Sequence, residues 1–133
     1  MALKSETYTI RSSDDVVRVR QIARAWASEI KLSLVDQTKL VTATSELARN
    51  TLEHGGGGAM TAEMVENGIR RGIKLTFTDQ GPGIANLELA LQDGYTTGNG
   101  MGLGLSGSKR LVNEFDIKSE PGLGTTVTIV RWK

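Results

Sequence analysis

Apolar residues recur along this chain at two different periods, and the changes of period divide it into elements. Glu6 to Arg11 alternates, with Thr7, Tyr8, Thr9 and Ile10, and predicts a first strand. Ser12, Ser13 and Asp14 are helix-capping residue types. After them Val16, Val19, Ala23, Trp26, Ala27 and Ile30 recur at helical spacing, predicting a helix over about 14–31. A second helix is predicted to start at Ser33 or Asp36 and to run to about His54. Its apolar stripe is Leu40, Ala43, Thr44, Leu47 and Thr51, and the glycine run 55–58 stops it. From Ala59 the period becomes two, with Met60, Ala62, Met64 and Glu66 opposing Ala59, Thr61, Glu63 and Val65. Asn67-Gly68 reads as a turn, and Gly72 to Asp79, with Ile73, Leu75 and Phe77 on one side, as the next strand.

Residues 86–91 can form a short helix, followed by a glycine-rich segment from Gly94 to Gly104 and a third long helix over about 102–115. Ile117 to Ser119 reads as a short strand, Glu120-Pro121-Gly122 as a turn, and Thr125 to Trp132 as a closing strand. Adjacent hairpins with one layer of helices predict an α/β two-layer sandwich. Its sheet would be mixed but mostly antiparallel, covered on one face by helices.

Composition narrows the classes. A chain of 133 residues suits one domain, 1–133, and neither an internal repeat nor a linker is visible. Apolar residues at 38% and charged residues at 23% describe a globular chain. A net charge of +1 argues against nucleic acid as a partner. Absence of cysteine excludes disulfides and thiolate metal sites. No stretch approaches the ~20 apolar residues of a membrane helix. The N-terminus lacks a signal-peptide core, so no membrane partner is expected and the expected location is cytoplasmic. His54, the single histidine, suits a helix C-terminus better than a catalytic post. Trp26 falls on an apolar stripe, and Trp132 suits packing of the last strand.

Three blocks carry candidate chemistry. Glu46 and Asn50 are four apart and share one helical face beside the apolar stripe. There they are either a solvated face or the edge of a pocket. A neutral amide oxygen suits Mg²⁺, and a carboxylate can take a proton from a hydroxyl or water. Asp79-Gln80-Gly81-Pro82-Gly83 ends an apolar strand. It is either a plain turn or an acceptor for an adenine amino group, with glycines allowing close approach to a flat base. The third block, Gly98 to Gly104, includes Gly98, Gly100, Gly102, Leu103 and Gly104. It is either a flexible loop or a phosphate-enclosing segment that opens a helix. Gly102 to Gly107 fits G-x-G-x-x-G formally, but a loop precedes it and too little chain follows for a βαβ dinucleotide fold. No Walker A sequence is present, nor are the H-R-D and D-F-G elements of ordinary protein kinases.

Taken together in this order, the blocks resemble the N, G1 and G2 boxes of the GHKL ATPase superfamily, which has the Bergerat fold of gyrase and histidine kinases. Gly122 to Thr126 is similar to the final Gly-Thr element, and the likeness spans about 40–130. The resemblance implies ATP and Mg²⁺ as cofactors, Glu46 as general base, Asn50 as Mg²⁺ ligand and Asp79 as adenine reader. It further implies Gly81 and Gly83 shaping the base pocket, Gly98 to Gly104 as an ATP lid, and Thr125 supporting the adenine side. Arg49 and Arg110 are further charges for the γ-phosphate or a partner.

The stretches Ser45 to Asn50 and Asp93 to Gly98, with Phe115-Asp116 and Val130-Arg131-Trp132, resemble the small bacterial serine/threonine kinases of partner-switching modules, of the stressosome type. That likeness implies phosphorylation of a STAS-domain protein and activation of a PP2C-type phosphatase. The alternatives are an anti-sigma kinase binding an RNA polymerase sigma factor, or a non-catalytic module whose partner binding depends on ATP. Without an appended transducer or phospho-accepting domain, the catalytic domain is expected to stand alone and to act on another protein.

Overall fold

A computed structural model describes residues 2–83 and 104–133. Strand β1 (Ala2–Ile10) is followed by helices α1 (Ser13–Glu29) and α2 (Leu34–Glu53). The hairpin β2 (Gly58–Asn67) and β3 (Arg70–Asp79) comes next, then α3 (Gly104–Arg110), β4 (Glu114–Glu120) and β5 (Gly124–Trp132). The sheet order is β1-β2-β3-β5-β4, and every described ladder is antiparallel, more uniform than the mixed sheet the pattern allowed for.

Local chemistry accounts for the boundaries. Ser12 caps α1 by accepting from the Asp15 N–H at 3.3 Å, and Ser33 caps α2 by accepting from the Asp36 N–H at 3.1 Å. His54 is the C-cap of α2, where its N–H donates to the Asn50 carbonyl at 2.9 Å. Gly68 takes a left-handed φ of 65° and lets β2 turn back into β3. On α2, Thr44 and Thr51 are buried because their hydroxyls donate to the carbonyls of Leu40 and Leu47, at 2.7 and 2.9 Å.

Both long helices lie on one face of the sheet. Their stripes, Val19, Ala23 and Trp26 from α1 and Leu40, Ala43 and Leu47 from α2, meet the inward row Met60, Ala62, Ile73, Leu75, Phe77, Val127 and Ile129 in one core. Leu105 of α3 joins the same core. Burying that apolar surface is the main drive for the fold. No helix among the described residues is long and apolar enough to cross a membrane.

Two expectations need correction. The third helix does not run to Phe115: α3 ends at Arg110, and the Asn113 N–H already donates to the Val130 carbonyl at 2.9 Å. The period-two burial of Phe115, Ile117 and Ser119 outweighs their helical spacing from Leu111, and a seven-residue β4 forms. The first strand begins earlier than Glu6, at Ala2, because it pairs with nearly the whole of β2. The short helix expected over 86–91 lies outside the described residues.

Candidate functional site

The predicted site residues that the structure describes on α2, β3 and β5 lie toward one end of the sheet, where α2 finishes and β3 and β5 meet. One transverse row crosses four strands there: Gly58 pairs with Asp79, Asp79 with Thr125, and Thr125 with Ser119. Asp79 and Thr125 are therefore neighbours on the face that the helices cover. The Thr125 and Ser119 hydroxyls lie 2.8 Å apart, so a second hydroxyl holds Thr125 in place.

Asp79 is half-buried, and its Oδ1 accepts the Gly81 N–H at 2.9 Å. This bond closes a tight turn and fixes the carboxylate. Among the described residues Oδ2 carries no hydrogen bond, so an acceptor oxygen stays available for a ligand donor. The surroundings are crowded with glycine for steric reasons. A methyl group at Gly55 would meet Asp79 Cγ at 2.4 Å, and one at Gly81 would meet Gly55 Cα at 2.7 Å. Gly83 has φ 75° and passes so close to β4 that a Cβ would reach the Glu120 carbonyl oxygen at 2.2 Å. Gly124, at φ 96°, would clash with the Asp79 carbonyl oxygen at 2.2 Å.

Gly55 links this strand-end cluster to the helix. Its N–H donates to the Asn50 carbonyl at 3.1 Å, one turn before the end of α2, while its Cα faces Asp79 and Gly81. Glu46 lies one turn further back from Asn50. The sequence left open whether these two form a solvated face or a pocket edge. Glu46 is buried, with 6% of its surface exposed, and Asn50 is half-buried. Arg49 Nη1 donates to Glu46 Oε1 at 3.3 Å. Helix α3 packs against α2, and Gly104 is its first residue. Gly98, Gly100, Gly102 and Leu103 lie outside the described residues.

The arrangement is a cluster of polar groups at one end of the sheet. It has one acceptor carboxylate with a free oxygen, a neutral amide, a buried second carboxylate, and glycines whose missing side chains let the end of α2, the β3 turn and the β4–β5 turn pack closely together. Sequence reasoning missed Gly55 and Ser119. Gly55 was read as part of a helix stop, and only the approach of Asp79 gives it a role at the site.

Residues 35–133 match the family described as histidine kinase-, DNA gyrase B- and HSP90-like ATPases. The chain belongs to this family. Within it, the chain is 41% identical over 118 residues to the serine/threonine-protein kinase RsbT of Bacillus subtilis (strain 168), covering 89% of each protein. It is 28% identical over 121 residues to the anti-sigma F factor of Geobacillus sp. (strain WCH70), covering 85% of this chain and 81% of that one. The structure of the RsbU and RsbW domains of Rv1364c from Mycobacterium tuberculosis superposes with a TM-score of 0.68 at 24% identity. That match covers 98% of this chain and 33% of the longer protein, and it bears on the fold alone. This member of the ATPase family is an enzyme, an ATP-dependent serine/threonine protein kinase. The α/β fold expected from the sequence is that of the family.

Proposed function

We propose that this kinase, as a single domain spanning 1–133, transfers the ATP γ-phosphate to a serine or threonine of a STAS-domain regulator in a partner-switching module of the cytoplasm. Once released from that regulator, it activates a PP2C-type phosphatase. The observation that carries the reading is the junction at Gly55, which brings the α2 residues Glu46 and Asn50 to the same end of the sheet as Asp79 and Thr125.

In this reading Asp79 Oδ2 accepts the adenine amino hydrogen, Thr125 lies beside it, and Gly81 and Gly83 shape the base pocket by letting the turn after β3 pack against Gly55 and Glu120. The segment Gly98 to Gly104 encloses the phosphates. Glu46 takes the proton of the attacking hydroxyl, since phosphoryl transfer asks mainly for alignment, charge neutralisation and a nearby base. Asn50 fits a Mg²⁺ ion. Among the described residues no cluster of three His, Asp or Glu assembles, so a lone amide oxygen suits an ion held mostly by phosphate oxygens and water. When bound, Mg²⁺ neutralises charge on the transferred phosphoryl group.

A cognate STAS-domain protein incubated with [γ-³²P]ATP is expected to be labelled. Glu46→Gln is expected to lower the rate by about 10²–10⁴-fold while nucleotide still binds. Transfer at the wild-type rate by Glu46→Gln would remove the base assignment. The anti-sigma F relatives favour a second reading, in which the kinase also holds a sigma factor. Stable co-purification with a sigma subunit, and no labelling of a STAS protein, would move the assignment there.

A further inference from the structure

We propose that Arg49 is a positioning residue for phosphoryl transfer, holding the Glu46 carboxylate in the orientation from which it accepts a proton. The proposal rests on the reading of Glu46 as the base. Positions three apart stand over one another on a helix, and here Arg49 Nη1 lies 3.3 Å from Glu46 Oε1. The two side chains differ in exposure, 35% for Arg49 and 8% for Glu46. Arg49 therefore reaches the carboxylate from the open side of α2, while Glu46 points into the fold.

A carboxylate buried to that extent is strongly disfavoured without an opposite charge or donors. Among the described residues Arg49 is the one hydrogen-bond and ionic partner of Glu46. Contact through a single nitrogen engages one carboxylate oxygen and leaves Oε2 with its lone pairs for an incoming hydroxyl. This role differs from the phosphate or partner contact that the sequence suggested for Arg49. Its guanidinium lies against Glu46, one turn from Asn50. A lysine would keep the charge and a donor, and so should hold the carboxylate in part.

The test uses the full chain with Mg-ATP. Transfer is read to the STAS-domain acceptor and, in its absence, to water, and nucleotide affinity is read with a fluorescent ADP analogue. Arg49→Ala is expected to lower kcat about tenfold to a hundredfold, a part of what a general base supplies. KM for ATP and the analogue's affinity should stay within about twofold, as for a group that acts only in the transition state. Arg49→Lys should recover part of the rate. In a Glu46→Gln background, Arg49→Ala should cost nothing further, because both changes disable one unit.

Additive losses in the double variant would overturn the proposal and assign Arg49 to the phosphate itself. A raised KM or weakened ADP binding with unchanged kcat would overturn it in favour of a binding role. A lowered urea midpoint that accounts for the lost rate, in both the alanine and lysine variants, would overturn it in favour of structure. Failure of the base reading appears separately, as a wild-type rate in Glu46→Gln alone. A chain that hydrolyses ATP with the expected Arg49 dependence yet labels no STAS protein would sink the substrate assignment and leave Arg49 supported.

Discussion

A methyl group at position 55 would sit 2.4 Å from Asp79 Cγ, so Gly55→Ala must push the carboxylate aside or shift the end of α2. Overpacking of this kind costs about 1–3 kcal/mol. Because it falls on the candidate adenine acceptor, a weakening of ATP binding of about tenfold or more is expected in a fluorescence titration. Gly56 is the control. It has φ 73° with open space around it, so Gly56→Ala should cost about 1 kcal/mol of stability through backbone strain and leave nucleotide affinity alone. Tyr8 supplies a pH dependence away from the site. Its hydroxyl donates to Glu6, and that bond, then burial, pushes its pKa up from 10.0 to about 12. The folded state thus holds this proton more tightly than the unfolded chain. The contribution is complete below pH 10 and is lost as pH rises toward about 12. Tyr8→Phe should flatten the alkaline limb of stability measured by urea unfolding, without touching nucleotide binding.

Helix α2 joins the two poles of the molecule. Its C-terminal half carries Glu46 and Asn50, and its first turn is tied to the sheet by Arg131, whose Nη2 lies 2.6 Å from Asp36 Oδ1. Arg131 Nη1 also donates to the Leu111 carbonyl at 3.3 Å, just beyond α3, and its buried Nε has no partner among the described residues. Asp36 is one-third exposed, so screening limits the pair. Arg131→Ala is expected to cost about 1–2 kcal/mol in urea unfolding, below the 3–5 kcal/mol of a fully buried pair. Arg131→Met should be milder, since it retains packing and removes the orphaned nitrogen. The α2 stripe, its Ser33 cap and the glycine stop were legible because period, cap and breaker agree locally. The burial of Glu46 was not. A one-stripe helix would expose it, but α2 packs against α1, the sheet and α3 at once and buries Val41, Glu46 and Ala48 beside the stripe. The end of α3 was hidden for a similar reason: Leu111, Val112 and Phe115 fit a helical spacing, and pairing with β5 decides for a strand.

At the scale of the whole molecule, ligand and stability are linked. Nucleotide that binds the folded chain alone should raise its stability by about 2.7 kcal/mol at one hundred times Kd. A thermal-shift series with Mg-ATP should show a concentration-dependent rise in Tm, and Asp79→Asn should abolish it. The motif blocks were readable one at a time in the sequence, whereas their meeting is a property of the sheet order. Nothing local to Asp79 announces that Thr125 will be its partner, because the β3–β5 ladder joins strands separated by α3 and β4.

That ladder has a consequence for how the chain reaches its working form. The hairpins β2–β3 and β4–β5 close over short loops, but the rung between Asp79 and Thr125 closes a long one, which makes it entropically expensive and slow. A chain with both hairpins formed but that rung open would lack the proposed adenine end. Nucleotide that binds at the proposed Asp79 site would recognise the closed ladder alone, and by mass action would draw the population toward it.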